Sequence, residues 1–136
     1  MKWIHASDIS SWVTTKQTHC SRTLPELVRR LILKTAASVE EIDFSSGDSV
    51  VTGGWDGRLK TTAKSLHFPD GNSGWEISIE HSPGQKAESD FAKRTEDPLG
   101  LVPSDTTFVF VTPLPWPKRG EWESENAPLN YGKMCV

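Results

Sequence analysis

The run Thr106-Thr107-Phe108-Val109-Phe110-Val111-Thr112 constrains this chain more than any other segment. It is almost continuously apolar and rich in β-branched and aromatic residues, with no polar alternation. Such a strand is buried on both faces and lies in the interior of a sheet. A sheet covered on both sides needs helices in the same chain, and the sequence offers them.

The stretch Thr23-Leu24-Pro25-Glu26 has the form of a capping box, with Thr23 as N-cap and Glu26 reaching back. Pro25 then falls in the first turn, where a missing N–H costs little. Leu24, Leu27, Val28, Leu31 and Ile32 follow at helical spacing, and Arg29, Arg30 and Lys34 load the other side and the C-terminal end. This predicts a helix over 24–37. A shorter helix is predicted after Ser7-Asp8, through Ile9 and Trp12, with a loop over 14–22.

Glu41 to Phe44 alternates and reads as a strand, and Ser45 to Asp48 reads as a turn. Ser49 to Thr52 starts a second strand. Gly53-Gly54-Trp55-Asp56-Gly57 interrupts it with a bend or bulge, and Arg58 to Ala63 continues it. After the turn-rich segment 68–74, Trp75 to Glu80 alternates strictly. Trp75, Ile77 and Ile79 share one face; Glu76, Ser78 and Glu80 share the other. Lys86 to Glu96 has helix composition, with Ala87, Phe91 and the stem of Arg94 on one side, and Pro98 ends it. Past Pro113 the prolines and glycines predict irregular structure. The expected order is α-β-β-β-α-β after the short first helix: an α/β (α+β) fold with a three-strand meander, a last strand joining in parallel, and a mixed sheet flanked by helices. The expected division is 1–22 for the helix and loop, 23–113 for the core domain and 114–136 for an irregular tail.

A chain of 136 residues forms one domain and buries a core without needing a disulfide or a structural metal. Its formal net charge of -3 provides no overall basic field for nucleic acid, so a DNA-binding role needs a local basic patch or a partner domain. Arg29-Arg30 and Lys118-Arg119 are short basic pairs and weak evidence for one. Cys20 and Cys135 have no paired spacing and read as free thiols in a reducing compartment. His5, His19, His67 and His81 show no zinc spacing. Nothing resembles a signal core or a membrane span, so a soluble cytoplasmic protein is expected. Walker A, nucleophile-elbow and dinucleotide-glycine patterns are all missing.

The chemistry therefore rests on acids at strand positions. Asp56 sits in the glycine-rich kink and Glu76 in the alternating strand. On adjacent antiparallel strands the two carboxylates come side by side. Together they can hold Mg²⁺ through oxygen ligands, leaving coordination positions for water and a phosphate.

The element order, with Gly54-Trp55-Asp56-Gly57 and Trp75-Glu76-Ile77-Ser78, resembles the PD-(D/E)XK nuclease superfamily over about residues 24–112. The resemblance implies a restriction-endonuclease-like fold and a Mg²⁺-dependent endonuclease acting on DNA. It gives Asp56 and Glu76 the metal-ligand roles, with the Ile77 backbone carbonyl as a further ligand. Ser78 stands where the family has a lysine. Some branches move that basic group to the following helix, which makes Lys86 and Lys93 candidates. Others add an acid from the first helix, which here is Glu26. The stretches 24–32, 47–50, 54–57 and 75–76 also resemble the N-terminal domain of large bacterial proteins associated with phage defence. That likeness implies a defence effector with a sensor or NTPase domain or partner.

Each residue also has a plainer reading. Asp56 fits a tight turn, Glu76 a solvated sheet face, Glu26 the capping box, and Lys86 and Lys93 a solvated helix surface. The missing lysine and the negative net charge favour an inactive nuclease-like fold that serves as a nucleic-acid-binding or protein-interaction module. The end at Met134-Cys135-Val136 suggests either a short stand-alone protein or a truncated fragment. A fragment with an open sheet edge is expected to self-associate as a homodimer.

Overall fold

A computed structural model describes residues 3–44, 54–62, 65, 68–126 and 133–135, the last three by backbone alone. The elements in order are α1 (Ala6–Thr15), α2 (Gln17–Thr35), β1 (Val39–Phe44), β2 (Gly57–Thr61), β3 (Gly71–Ile77), α3 (Pro83–Glu96), β4 (Thr106–Val111), α4 (Arg119–Asn126) and β5 (Lys133–Cys135). The turn expected over 45–48 and the strand start expected over 49–52 lie outside the described residues.

The strands form one mixed sheet in the order β1-β2-β3-β4-β5. β1, β2 and β3 run antiparallel, while β3–β4 and β4–β5 are parallel. Parallel neighbours need a crossover, and α3 and α4 supply the two. As its composition requires, β4 is buried over Thr106–Phe110 and has strands on both sides. Its alternate residues feed two cores. Val109 joins Leu24, Val28 and Ile32 of α2, with Phe44, Leu59 and Trp75 from the sheet. Phe108 and Phe110 join Ala87 and Phe91 of α3, Trp122 of α4, and Trp55. Phe91 meets Phe108 edge to face at 5.3 Å and Trp122 at 5.8 Å. This geometry suits the ring quadrupoles.

Three local expectations fail. First, α2 starts at Gln17, so residues 17–22 are helical and Thr23 is not an N-cap. Pro25 lies inside the helix, fully buried. Proline there forfeits a backbone hydrogen bond, and burial of Cys20, Leu24 and Pro25 offsets the loss. Second, the tail contains α4, whose Trp122 is 8% exposed. An eight-residue helix is too short to announce itself in sequence and is held by packing. Third, β3 begins four residues earlier than the alternation suggests, taking in Gly71–Gly74. A Cβ at Gly74 would lie 2.7 Å from the Trp55 ring, and one at Gly57 would lie 2.3 Å from the Phe44 ring. These two glycines admit large rings against the sheet; they are not turn residues.

Candidate metal centre

The register sets the site. Gly57 of β2 pairs with Trp75 of β3, so Asp56, one residue earlier, lies opposite Glu76, one residue later. Trp75 points into the α2 core, and Glu76 therefore points to the α3 side. The Asp56 Oδ2 accepts the Ile77 backbone N–H at 2.7 Å, and the Asp56 and Glu76 carboxyls lie close enough to act on each other electrostatically. Trp55 fixes the approach to this turn. Its ring covers Gly74, and its Nε1 donates to the Pro98 carbonyl at 2.9 Å.

Helix α3 supplies the rest. Lys86, Asp90 and Arg94 recur every four residues and so stack along one face. Arg94 Nε donates to Glu76 Oε1, another guanidinium nitrogen donates to the Gly54 carbonyl, and Cζ lies 5.3 Å from the Trp55 ring centroid. The Lys86 Nζ bonds Asp90 Oδ1 at 2.9 Å. Glu76, Asp90 and Arg94 are only 5%, 4% and 7% exposed, so these charges face one another in place of water.

Burial lifts the Asp56 carboxyl above the usual aspartate range, against the opposing pull of the Ile77 N–H and of the neighbouring Glu76 carboxyl. Burial likewise pushes Glu76 to about 8; Arg94 opposes the rise, while the charges of Asp56 and Asp90 add to it. One guanidinium cannot neutralise two adjoining carboxylates, so the acid pair retains a proton near neutral pH. For Lys86, burial pulls the amine down, but the bond to Asp90 together with the charges of Asp90, Glu76 and Glu80 outweighs it and the net shift is upward.

The other sequence candidates are placed as follows. Glu26 lies on α2 and is taken by Arg30 at 2.9 Å, with Arg29 at 3.9 Å. Lys93 is exposed. The charges acting on the acid pair are Asp90 and Arg94, and neither Glu26 nor Lys93 is among them. Lys86 reaches the pair's surroundings through Asp90, and its own charge feels Glu76. Ser78 is buried, and its hydroxyl accepts the Glu80 N–H at 3.1 Å. Ile77 contributes its N–H to Asp56. The sequence placed the stem of Arg94 beside Ala87 and Phe91, and the helix buries all three. Asp90 and the reach of the Arg94 guanidinium to Glu76 had no local signal.

The fit to a metal follows from the donors. Among the described residues no cluster of three or more His, Cys, Asp or Glu is arranged to hold an ion. Asp56 and Glu76 offer hard carboxylate oxygens, while the third acid, Asp90, is bonded to Lys86. The pair sits in a cluster of three acids and two bases, so releasing the proton that the pair retains leaves one negative charge in excess, which burial makes costly. A hard dication would relieve that charge.

No family model, curated protein or solved structure matches this chain.

Among the described residues, no helix is long and apolar enough to cross a membrane.

Proposed function

We propose that this chain is a divergent Mg²⁺-dependent endonuclease domain of the PD-(D/E)XK, restriction-endonuclease-like class, hydrolysing DNA phosphodiesters as a defence effector. The observation that carries the reading is the meeting of the half-buried Asp56 and the buried Glu76 across the β2–β3 register. The element order α2-β1-β2-β3-α3-β4 supports it, with Asp56 leading directly into the second strand and Glu76 on the third.

Asp56 and Glu76 would hold the cation, with the Ile77 carbonyl as a backbone ligand. When bound, Mg²⁺ supplies Lewis-acid chemistry that lowers the pKa of a ligated water and offsets phosphate charge. The protein's own part is to bind and orient. The Ile77 N–H fixes the Asp56 carboxylate, Arg94 fixes that of Glu76, and Lys86 at the start of α3, held by Asp90, would supply the charge for a bound phosphate. Lys86 would thus take the place of the lysine that Ser78 replaces.

A specific contact favours a second reading. Arg94 already pairs with Glu76, as it would in an inactive nuclease-like fold kept for binding nucleic acid or protein. Plasmid cleavage with Mg²⁺ separates the two readings. The wild-type chain is expected to nick DNA, while Asp56→Asn and Asp56→Ala proteins of unchanged circular dichroism lose at least about 100-fold in rate. Equal cleavage by wild type and variants removes Asp56 from the chemistry. No cleavage by any of them favours the binding module.

A further inference from the structure

We infer that Arg94 is the centre's built-in counter-ion: it orients Glu76 and sets how tightly the acid pair takes a divalent cation. This inference rests on the proposed metal role of Asp56 and Glu76, and it concerns a residue outside the nuclease-like pattern.

The geometry is that of a clamp with three fixed points. The guanidinium reaches Glu76 Oε1 with Nε and the Gly54 carbonyl with a terminal nitrogen, and its Cζ lies over the Trp55 ring at 5.3 Å from the centroid. Gly54 and Trp55 are the residues that lead into Asp56. Arg94 therefore ties the turn carrying one acid to the strand carrying the other. A planar, delocalised cation with forked donors is suited to this; a lysine ammonium offers neither the fork nor the stacking face.

The clamp also fixes the charge balance. Asp56, Glu76 and Asp90 bring three negative charges when ionised, and Lys86 and Arg94 bring two positive ones. Lys86 is bonded to Asp90, which leaves Arg94 as the bonded partner of the pair itself. A dication arriving at Asp56 and Glu76 meets a positive charge already bonded to Glu76. It must share that carboxylate or displace Nε from Oε1. In an interior of low dielectric this repulsion is large compared with that in water. The same contact lets the fold stand without the cation, because a buried acid pair with no counter-charge is strongly destabilising.

Isothermal titration with Mn²⁺ on the full chain tests this, using wild type, Arg94→Gln, Arg94→Lys and Glu76→Gln proteins, with thermal unfolding at rising Mn²⁺ as the second readout. Removing the charge in Arg94→Gln is expected to tighten Mn²⁺ binding by about tenfold or more. It should also lower thermal stability without metal and make that stability strongly Mn²⁺-dependent. Arg94→Lys keeps the charge and loses the fork, so its affinity should stay near that of wild type while its metal-free stability falls. If Arg94→Gln does not fold without metal, refolding it with Mn²⁺ but not with K⁺ at matched ionic strength supports the same conclusion. Equal or weaker Mn²⁺ binding by a folded Arg94→Gln protein overturns the counter-ion role. Failure of wild type and Arg94→Gln alike to bind Mn²⁺, or undiminished binding by Glu76→Gln, instead sinks the acid pair as a metal site.

Discussion

Raising the pH across the neutral range should destabilise the metal-free protein, because Glu76 folds into a place that favours its neutral form. Its carboxyl titrates at about 8 in the fold, against an ordinary glutamate value of 4.5. Between these values the folded state holds a proton that the unfolded chain has released, so stability falls as pH rises. The stabilisation is fully present below the unfolded value and is lost as pH climbs through the folded one. For a single group with these two values, moving from about pH 5.5 to about pH 8 removes about 3 kcal/mol. In a domain of this size that corresponds to a drop in Tm of about 10 °C. The assay is thermal or urea unfolding in a metal chelator across this range, on wild type and Glu76→Gln. Glutamine carries the neutral form at every pH, so the variant should lose most of the slope. A wild-type stability that is flat or rising over this interval refutes the argument, as does an unchanged slope in Glu76→Gln.

Packing yields two further expectations. Gly74→Ala drives a methyl to 2.7 Å from the Trp55 ring, and urea unfolding should show a loss of about 1–3 kcal/mol; a variant as stable as wild type refutes the close approach. Trp122→Ala empties the contact with Phe91, Phe108 and Trp116 and should cost about 3–5 kcal/mol by the same measurement. A near-neutral result would mean that α4 does not close the α3 core.

Much of the framework was legible along the chain. The unbroken apolar run at 106–111 could satisfy its faces only inside a sheet, and it lies between β3 and β5 with helices covering both sides. The alternation after Trp75 assigned Glu76 to the face opposite Trp75 and Ile77, which is where it lies. These are period-2 and period-3.6 signals, carried by residues close in sequence. The start of α2 was misread because a strong local cap signal yielded to burial of Cys20 and Pro25. α4 was missed because its stability comes from aromatic contacts with Phe91 and Phe108 on distant elements.

The sequence by itself determined which residues alternate and recur, and hence the elements, the central strand and the two acids that a strand pair could join. Tertiary structure alone decided that Asp90 bonds Lys86 beside the acids and that the Arg94 guanidinium closes on Glu76 and Gly54. The physical reason is that periodicity shows which side chains share a face, while the charge a face meets depends on register and helix docking across 18 and 40 residues of chain.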